Sequence, residues 1–136
     1  MQWRYLELGD YLLIAEAVLG IPAETLAASN RIDLADSAVN APAAGFGGVE
    51  AYPEFEAKAA VLCWHLVKNH PLPDGNKRAA FLSLIEFVQR NGRAWTRAPR
   101  DPAETDEILR GVAASEISRE QLQEWIIKRT SEDAVD

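Results

Sequence analysis

Cysteine is almost missing: Cys63 is the one thiol among 136 residues. No disulfide can therefore close within the chain, which fits a reducing compartment. Long apolar runs are missing too. No stretch approaches the roughly 18 uncharged apolar residues of a membrane span, and the apolar segment from Tyr11 to Leu19 lacks a basic leader and contains Glu16. These absences predict a soluble cytoplasmic protein with no membrane partner. Positive charge is scarce, since 14 Lys and Arg stand against 21 Asp and Glu for a net −7. A general nucleic-acid binder working through a basic surface is thereby excluded. Strand-like alternation is nearly absent, no internal repeat is visible, and the length leaves room for a single domain over residues 1–136.

The scarce positive charge is concentrated. Residues 68–100 hold Lys68, Lys77, Arg78, Arg90, Arg93, Arg97 and Arg100 against Asp74 and Glu86, a net +5 that leaves −12 for the remainder. A confined basic segment in an acidic molecule suits a local anion such as a phosphate better than a long polyanion. For Arg90, Arg93, Arg97 and Arg100 the simpler expectation is solvated charge near a helix end.

Helix signals dominate the rest. Asp10 reads as the N-cap of a helix running to about Leu19, with Gly20 as terminator and Pro22 opening a second short helix. The Ala- and Gly-rich stretch from Ala38 to Gly48 reads as a loop or hairpin. Pro53 to Asn69 and Gly75 to Asn91 are helical in composition and apolar over more than one stripe, as buried helices are. The five residues His70 to Asp74, two of them proline, join the pair tightly. Asp101-Pro102 with Glu104, and Ser118 with Gln121, carry capping signals for helices over about 102–114 and 119–130. The fold class is all-α, built around a central buried helical hairpin. Trp3, Trp64, Trp95 and Trp125 read as core anchors, and Cys63 and His65, two apart and so on different sides of a helix, cannot share a metal.

The segment from His70 to Arg78, HPLPDGNKR, places a histidine, a carboxylate, an amide and two cations within nine residues at the mouth of a buried helix. With Asp74 and Gly75 at the N-cap and first turn, backbone N–H groups and the positive end of the dipole face the loop, where a phosphate could dock. Asn76, Lys77 and Arg78 could add hydrogen bonds and charge. An imidazole, ordinarily half-protonated at about pH 6.5, could take a hydroxyl proton near neutrality, which suits His70 to a general base. Asp74 offers the hard oxygen that Mg²⁺ takes from proteins. Each residue also has a plainer role: Asp74 as a cap, Asn76 in a turn, His70 ending a helix. Lys77 and Arg78 argue for more than capping, because cations in a first turn oppose the helix dipole unless an anion balances them.

At these residues the chain resembles the Fic/Doc family, whose motif reads HxFx[DE][AG]N[GK]R. The surrounding AYPEFEAKAAVLCWHLVKNHPLPDGNKRAAFLSLIEFVQRNG is similar to the Doc branch, over about residues 42–95. The resemblance implies a helical Fic/Doc fold, with His70 as general base, Asp74 as magnesium ligand and Gly75, Asn76, Lys77 and Arg78 at the phosphates of ATP. It further implies that the segment AAGFGG serves as a flap docking a target chain, through Phe46, Gly47 and Gly48. From the residues alone that segment reads equally as a plain surface loop. Three positions depart from the broader Fic pattern HPFx[DE]GNGRxxR: Lys77 for glycine, Phe81 for the second arginine and Leu72 for phenylalanine. A lysine puts a four-carbon stem and an ammonium where glycine leaves room for a diphosphate.

In Doc-like members the lysine form goes with transfer of the terminal phosphoryl group. The resemblance therefore implies a toxin of a toxin–antitoxin system, an ATP- and Mg²⁺-dependent kinase acting on a hydroxyl of elongation factor Tu and so inhibiting translation. Protein AMPylation by the same base is the alternative enzyme reading, and a catalytically silent nucleotide- or partner-binding module is the alternative from another class. No [ST]xxxE[GN] inhibitory segment occurs in these residues. Restraint is then expected from a cognate antitoxin whose C-terminal segment binds the toxin, with no direct contact to nucleic acid.

Overall fold

The computed structural model describes residues 2–95 and 102–131. Among them stand seven α-helices and two minimal two-stranded ladders, an all-α architecture as the sequence predicts. In chain order they are α1 (Leu8–Leu19), α2 (Ala23–Ala27), α3 (Ile32–Asn40), a 3-10 turn (Ala41–Ala43), β1 (Gly45–Phe46), β2 (Val49–Glu50), α4 (Phe55–Asn69), α5 (Asn76–Arg90), β3 (Ala94–Trp95), α6 (Pro102–Ala113), α7 (Arg119–Arg129) and β4 (Thr130–Ser131). β1 pairs antiparallel with β2, and β3 with β4. No described helix is long and apolar enough to cross a membrane.

α4 is the axis of the fold. It buries Phe55, Lys58, Ala59, Ala60, Val61, Leu62, Cys63, Leu66 and Val67, and packs against α3, α5, α6, α7 and the 3-10 turn. α5 runs back along it, burying Ala79, Ala80, Leu84, Ile85, Phe87 and Val88. Each fully buried Leu or Phe contributes about 1.5–3 kcal/mol relative to exposure, so this hairpin holds much of the apolar stabilisation. Buried Ser83 satisfies its hydroxyl on the Ala79 carbonyl at 2.8 Å. Phe55 stacks on Phe87 with centroids 5.1 Å apart, and Trp3 and Tyr5 extend the aromatic layer. On the other flank Trp95 meets Trp125 edge-on at 5.1 Å. Trp95 and Trp125 are thus core residues as expected, while Trp3 and Trp64 are half-buried.

Several boundaries differ from the sequence reading for identifiable reasons. Glu7, not Asp10, is the N-cap of α1; Asp10 sits three residues in and accepts the Glu7 N–H at 2.8 Å. The capping signal at Asp10 was the far half of a capping box. Pro22 likewise stands at the N-cap of α2. The stretch predicted as a loop from Ala38 begins inside α3, whose Asp33, Asp36 and Ser37 favour turns in isolation. Its helix is secured by burying Ala35, Ala38 and Val39 on one face against α4. The predicted box of Ser118 with Gln121 is present, with Gln121 N–H on Ser118 Oγ at 3.1 Å. Asp101, Arg97 and Arg100 lie outside the described residues.

Arg90 and Arg93, expected to be solvated, are framework residues. Arg90 binds Asp10 at 3.0 Å and Glu86 at 2.8 Å, tying the start of α1 to the end of α5. Its guanidinium and the Glu7 N–H hold the Asp10 carboxyl below the usual carboxylate range, and Arg90 is raised in turn. Arg93 pairs with Glu56 at 2.7 Å and lies over the Phe55 ring at 4.3 Å. Glu86 is the local i,i+4 partner of Arg90 on α5, whereas Asp10 and Glu56 reach the two cations from other elements, which no local pattern announces.

Candidate active site

α4 ends in a strained residue. His70 adopts the left-handed conformation, φ 51° and ψ 56°, one of two non-glycine residues with positive φ among those described. The neighbourhood over-determines it. Arg31 donates from Nε to the His70 carbonyl and from Nη2 to the Asn69 carbonyl, both at 3.0 Å, and Asn69 Nδ2 reaches back to the Leu34 carbonyl at 2.9 Å. The first turn of α3 is thus clipped to the last turn of α4, satisfying carbonyls that a helix end leaves open.

The loop that follows folds around one amide. Asn76, buried at 6% exposure, accepts the Leu72 N–H on Oδ1 and donates from Nδ2 to the Leu72 carbonyl, each at 2.9 Å. Its second N–H remains for a ligand. Leu72, which replaces the motif phenylalanine, is itself buried, so the exchange keeps an apolar plug under the loop. The N-cap of α5 is Gly75, one residue past the expected Asp74, at φ 70°. A Cβ there would meet Val18 Cγ1 at 2.9 Å, so the left-handed turn and the packing of α1 both demand glycine. Asp74 accepts the Gly75 N–H at 2.8 Å and is otherwise exposed.

These residues open onto one cleft of about 630 Å³, lined by His70, Asp74, Gly75, Asn76, Lys77 and Arg78, with Val18 and Leu19 of α1 and Phe81 of α5 as apolar walls. Pro102, Thr105, Asp106 and Leu109 of α6 close the far side. The whole HPLPDGNKR constellation except the plug Leu72 and its neighbour Pro71 therefore shares one space. Thr105 and Asp106 were not foreseen, and no sequence signal marks them; tertiary packing of α6 alone brings them here. Asp106 is paired with Arg110 at 2.9 Å.

Two cations of the cleft stand outside any ion pair among the described residues. Lys68 is engaged by Ser115 and the Trp64 ring, while neither Lys77 nor Arg78 has a carboxylate partner among the described residues. Two such cations in the first turn of α5 stand against the dipole of their own helix. A phosphate chain would balance them, and exposed Asp74 could add one oxygen to an Mg²⁺ shared with that phosphate, since Mg²⁺ is usually held by one or two carboxylates with phosphate and water. No group of three or more His, Cys, Asp and Glu gathers among the described residues, so an all-protein metal cage is not what the donor set provides.

Phe46, Gly47 and Gly48 are not part of this cleft. They form the tip of the β1–β2 hairpin, with Gly47 and Gly48 at φ 60° and 81°, the paired positive values of a tight two-residue turn. Phe46 is 92% exposed and Val49 72%. On α4, burial pushes the Cys63 thiol up to about 12, and burial followed by the Arg119 charge lowers His65. Neither belongs to a group of three or more His, Cys, Asp and Glu among the described residues.

Residues 5–88 match the sequence model of the Fic/DOC family. The match begins well upstream of residue 42, where the resemblance read from the sequence starts, and so includes α1 to α3. A 59-residue stretch is 48% identical to the protein named Toxin Doc of Mycolicibacterium smegmatis, covering 43% of this chain and 45% of that one. The chain thus spans less than half the length of that relative.

Proposed function

The chain belongs to the Fic/DOC family, and on that premise we propose that it is the toxin of a toxin–antitoxin system, a transferase that phosphorylates a protein hydroxyl using ATP and Mg²⁺. One observation carries the reading: Lys77 and Arg78, without carboxylate partners among the described residues, open onto the same cleft as His70 and Asp74. Asn76, Lys77, Arg78 and the N–H groups at the start of α5 hold the triphosphate. Asp74 would hold Mg²⁺, which would supply neutralisation of the phosphates' charge. His70 takes the proton of the target hydroxyl as its oxygen bonds to the terminal phosphorus; the bond from that phosphorus to the bridging oxygen breaks, and ADP leaves. Positioning and charge neutralisation supply most of the rate.

Lys77 favours phosphoryl over adenylyl transfer, because its stem occupies ground that a glycine would leave to a diphosphate. Elongation factor Tu is the proposed substrate, and the similarity to Toxin Doc supports a cognate antitoxin as the restraining partner. The test is incubation of elongation factor Tu with this protein, Mg²⁺ and ATP labelled in the terminal or the innermost phosphate, read by intact mass and label. Terminal label on the target is expected. Innermost label would mean AMPylation and overturn the argument from Lys77, whereas no label with retained nucleotide binding would mean another target or a silent binding module.

A further inference from the structure

We propose that Lys58 and Glu50 form a latch that fixes the β1–β2 hairpin on α4 and thereby sets the affinity for the protein target. The proposal rests on the reading that the hairpin docks that target. Lys58 is fully buried, with 0% exposure, in the helix that forms the axis of the fold. Its ammonium donates to Glu50 Oε1 at 2.6 Å on the returning limb of the hairpin and to the Pro42 carbonyl at 3.2 Å in the 3-10 turn that leads into the outgoing limb. The Tyr5 ring lies beneath, 5.5 Å from Nζ.

Removing an ammonium from water costs several kcal/mol before its partners repay any of it, and leucine or methionine would fill the same place at no such cost. The cation is therefore explained by what it holds. Burial alone would lower the Lys58 pKa, yet the hydrogen bond to Glu50, with Tyr5 beside it, raises it, so the side chain stays charged. The hairpin has little else to secure it. Each strand has two residues, the pairing is extended by one bond from Ala51 N–H to the Ala44 carbonyl at 2.9 Å, and all of residues 43–51 are exposed. An isolated two-stranded hairpin is marginal in water. Lys58 cannot move without opening the core, whereas Glu50, with its side chain 48% exposed, is the half that can let go. Because α4 carries Lys58 near one end and leads into His70 at the other, one rigid element relates the hairpin to the cleft.

Glu50→Ala tests this in the full chain without touching the core. Amide hydrogen exchange over residues 44–51 should accelerate about tenfold or more, with α4 and α5 unchanged, and Glu50→Gln should fall between. Lys58→Met, which keeps the volume and removes the charge, should release the hairpin in the same way. In the transfer assay Glu50→Ala should raise KM for the target about tenfold while KM for ATP and kcat at saturating target hold. Unchanged exchange overturns the latch, and faster exchange with an unchanged target KM overturns its control of affinity. Absence of His70-dependent transfer by the unaltered protein would overturn the functional reading instead, with exchange still deciding the latch.

Discussion

The two ends of α4 are built on opposite plans. At the His70 end the chain is clamped from every side: Arg31 and Asn69 join α3 to α4, Asn76 holds Leu72 by two bonds, and Gly75 lets α1 pack onto the start of α5. Near the Phe55 end a four-residue ladder leaves Phe46 and Val49 in solvent and hangs on a single buried ammonium. Transfer chemistry rewards groups locked in place before the substrate arrives, while docking of a chain rewards a strand edge whose backbone groups are still unpaired. On the proposed function, one helix would serve both demands by keeping them at separate ends.

Four substitutions would break or sharpen that contrast. The largest effect is expected from His70→Ala, which should lower transfer about 10²–10⁴-fold, as loss of a general base does, with thermal unfolding and hairpin exchange unaltered. Asn76→Ala should follow, costing about 2–3 kcal/mol in denaturant unfolding by stranding the buried N–H and carbonyl of Leu72. It should weaken ATP binding as the loop loosens and leave residues 45–50 untouched. Asp10→Asn lies outside both ends and serves as a control. Because Arg90 holds the folded Asp10 carboxyl below its ordinary 3.8, the pair stabilises the fold above that pH and is lost as pH falls through the depressed value. The variant should lose about 1 kcal/mol near neutrality and show a shallower decline below pH 4, with activity retained. Phe46→Ala should change stability by less than about 0.5 kcal/mol, as exposed positions do, yet raise the target KM several-fold.

The sequence showed best what local chemistry dictates. The continuous apolar faces of α4 and α5 announced the central helical hairpin, two prolines announced its short connection, and Ser118 with Gln121 announced α7. The density of HPLPDGNKR announced a site whose chemical residues do share a cleft. What depended on distant partners was hidden. α3 is helical because Ala35, Ala38 and Val39 find α4, against the turn tendency of its aspartates. Arg90 and Arg93 read as free charge because Asp10 and Glu56 lie 80 and 37 residues away. Asp106 and Thr105 reach the cleft through the placement of α6, and Lys58 is set apart from other helix lysines only by Glu50 and the Pro42 carbonyl, which tertiary packing brings to it.

The separation of a nucleotide end from a docking end is tested most directly by titrating Mg²⁺-ATP into the isotope-labelled chain and following its backbone amide resonances. The account predicts that the amides of residues 75–78 shift and saturate together while those of residues 45–50 stay in place. Shifts centred on residues 45–50, or no shift at residues 75–78, would contradict it.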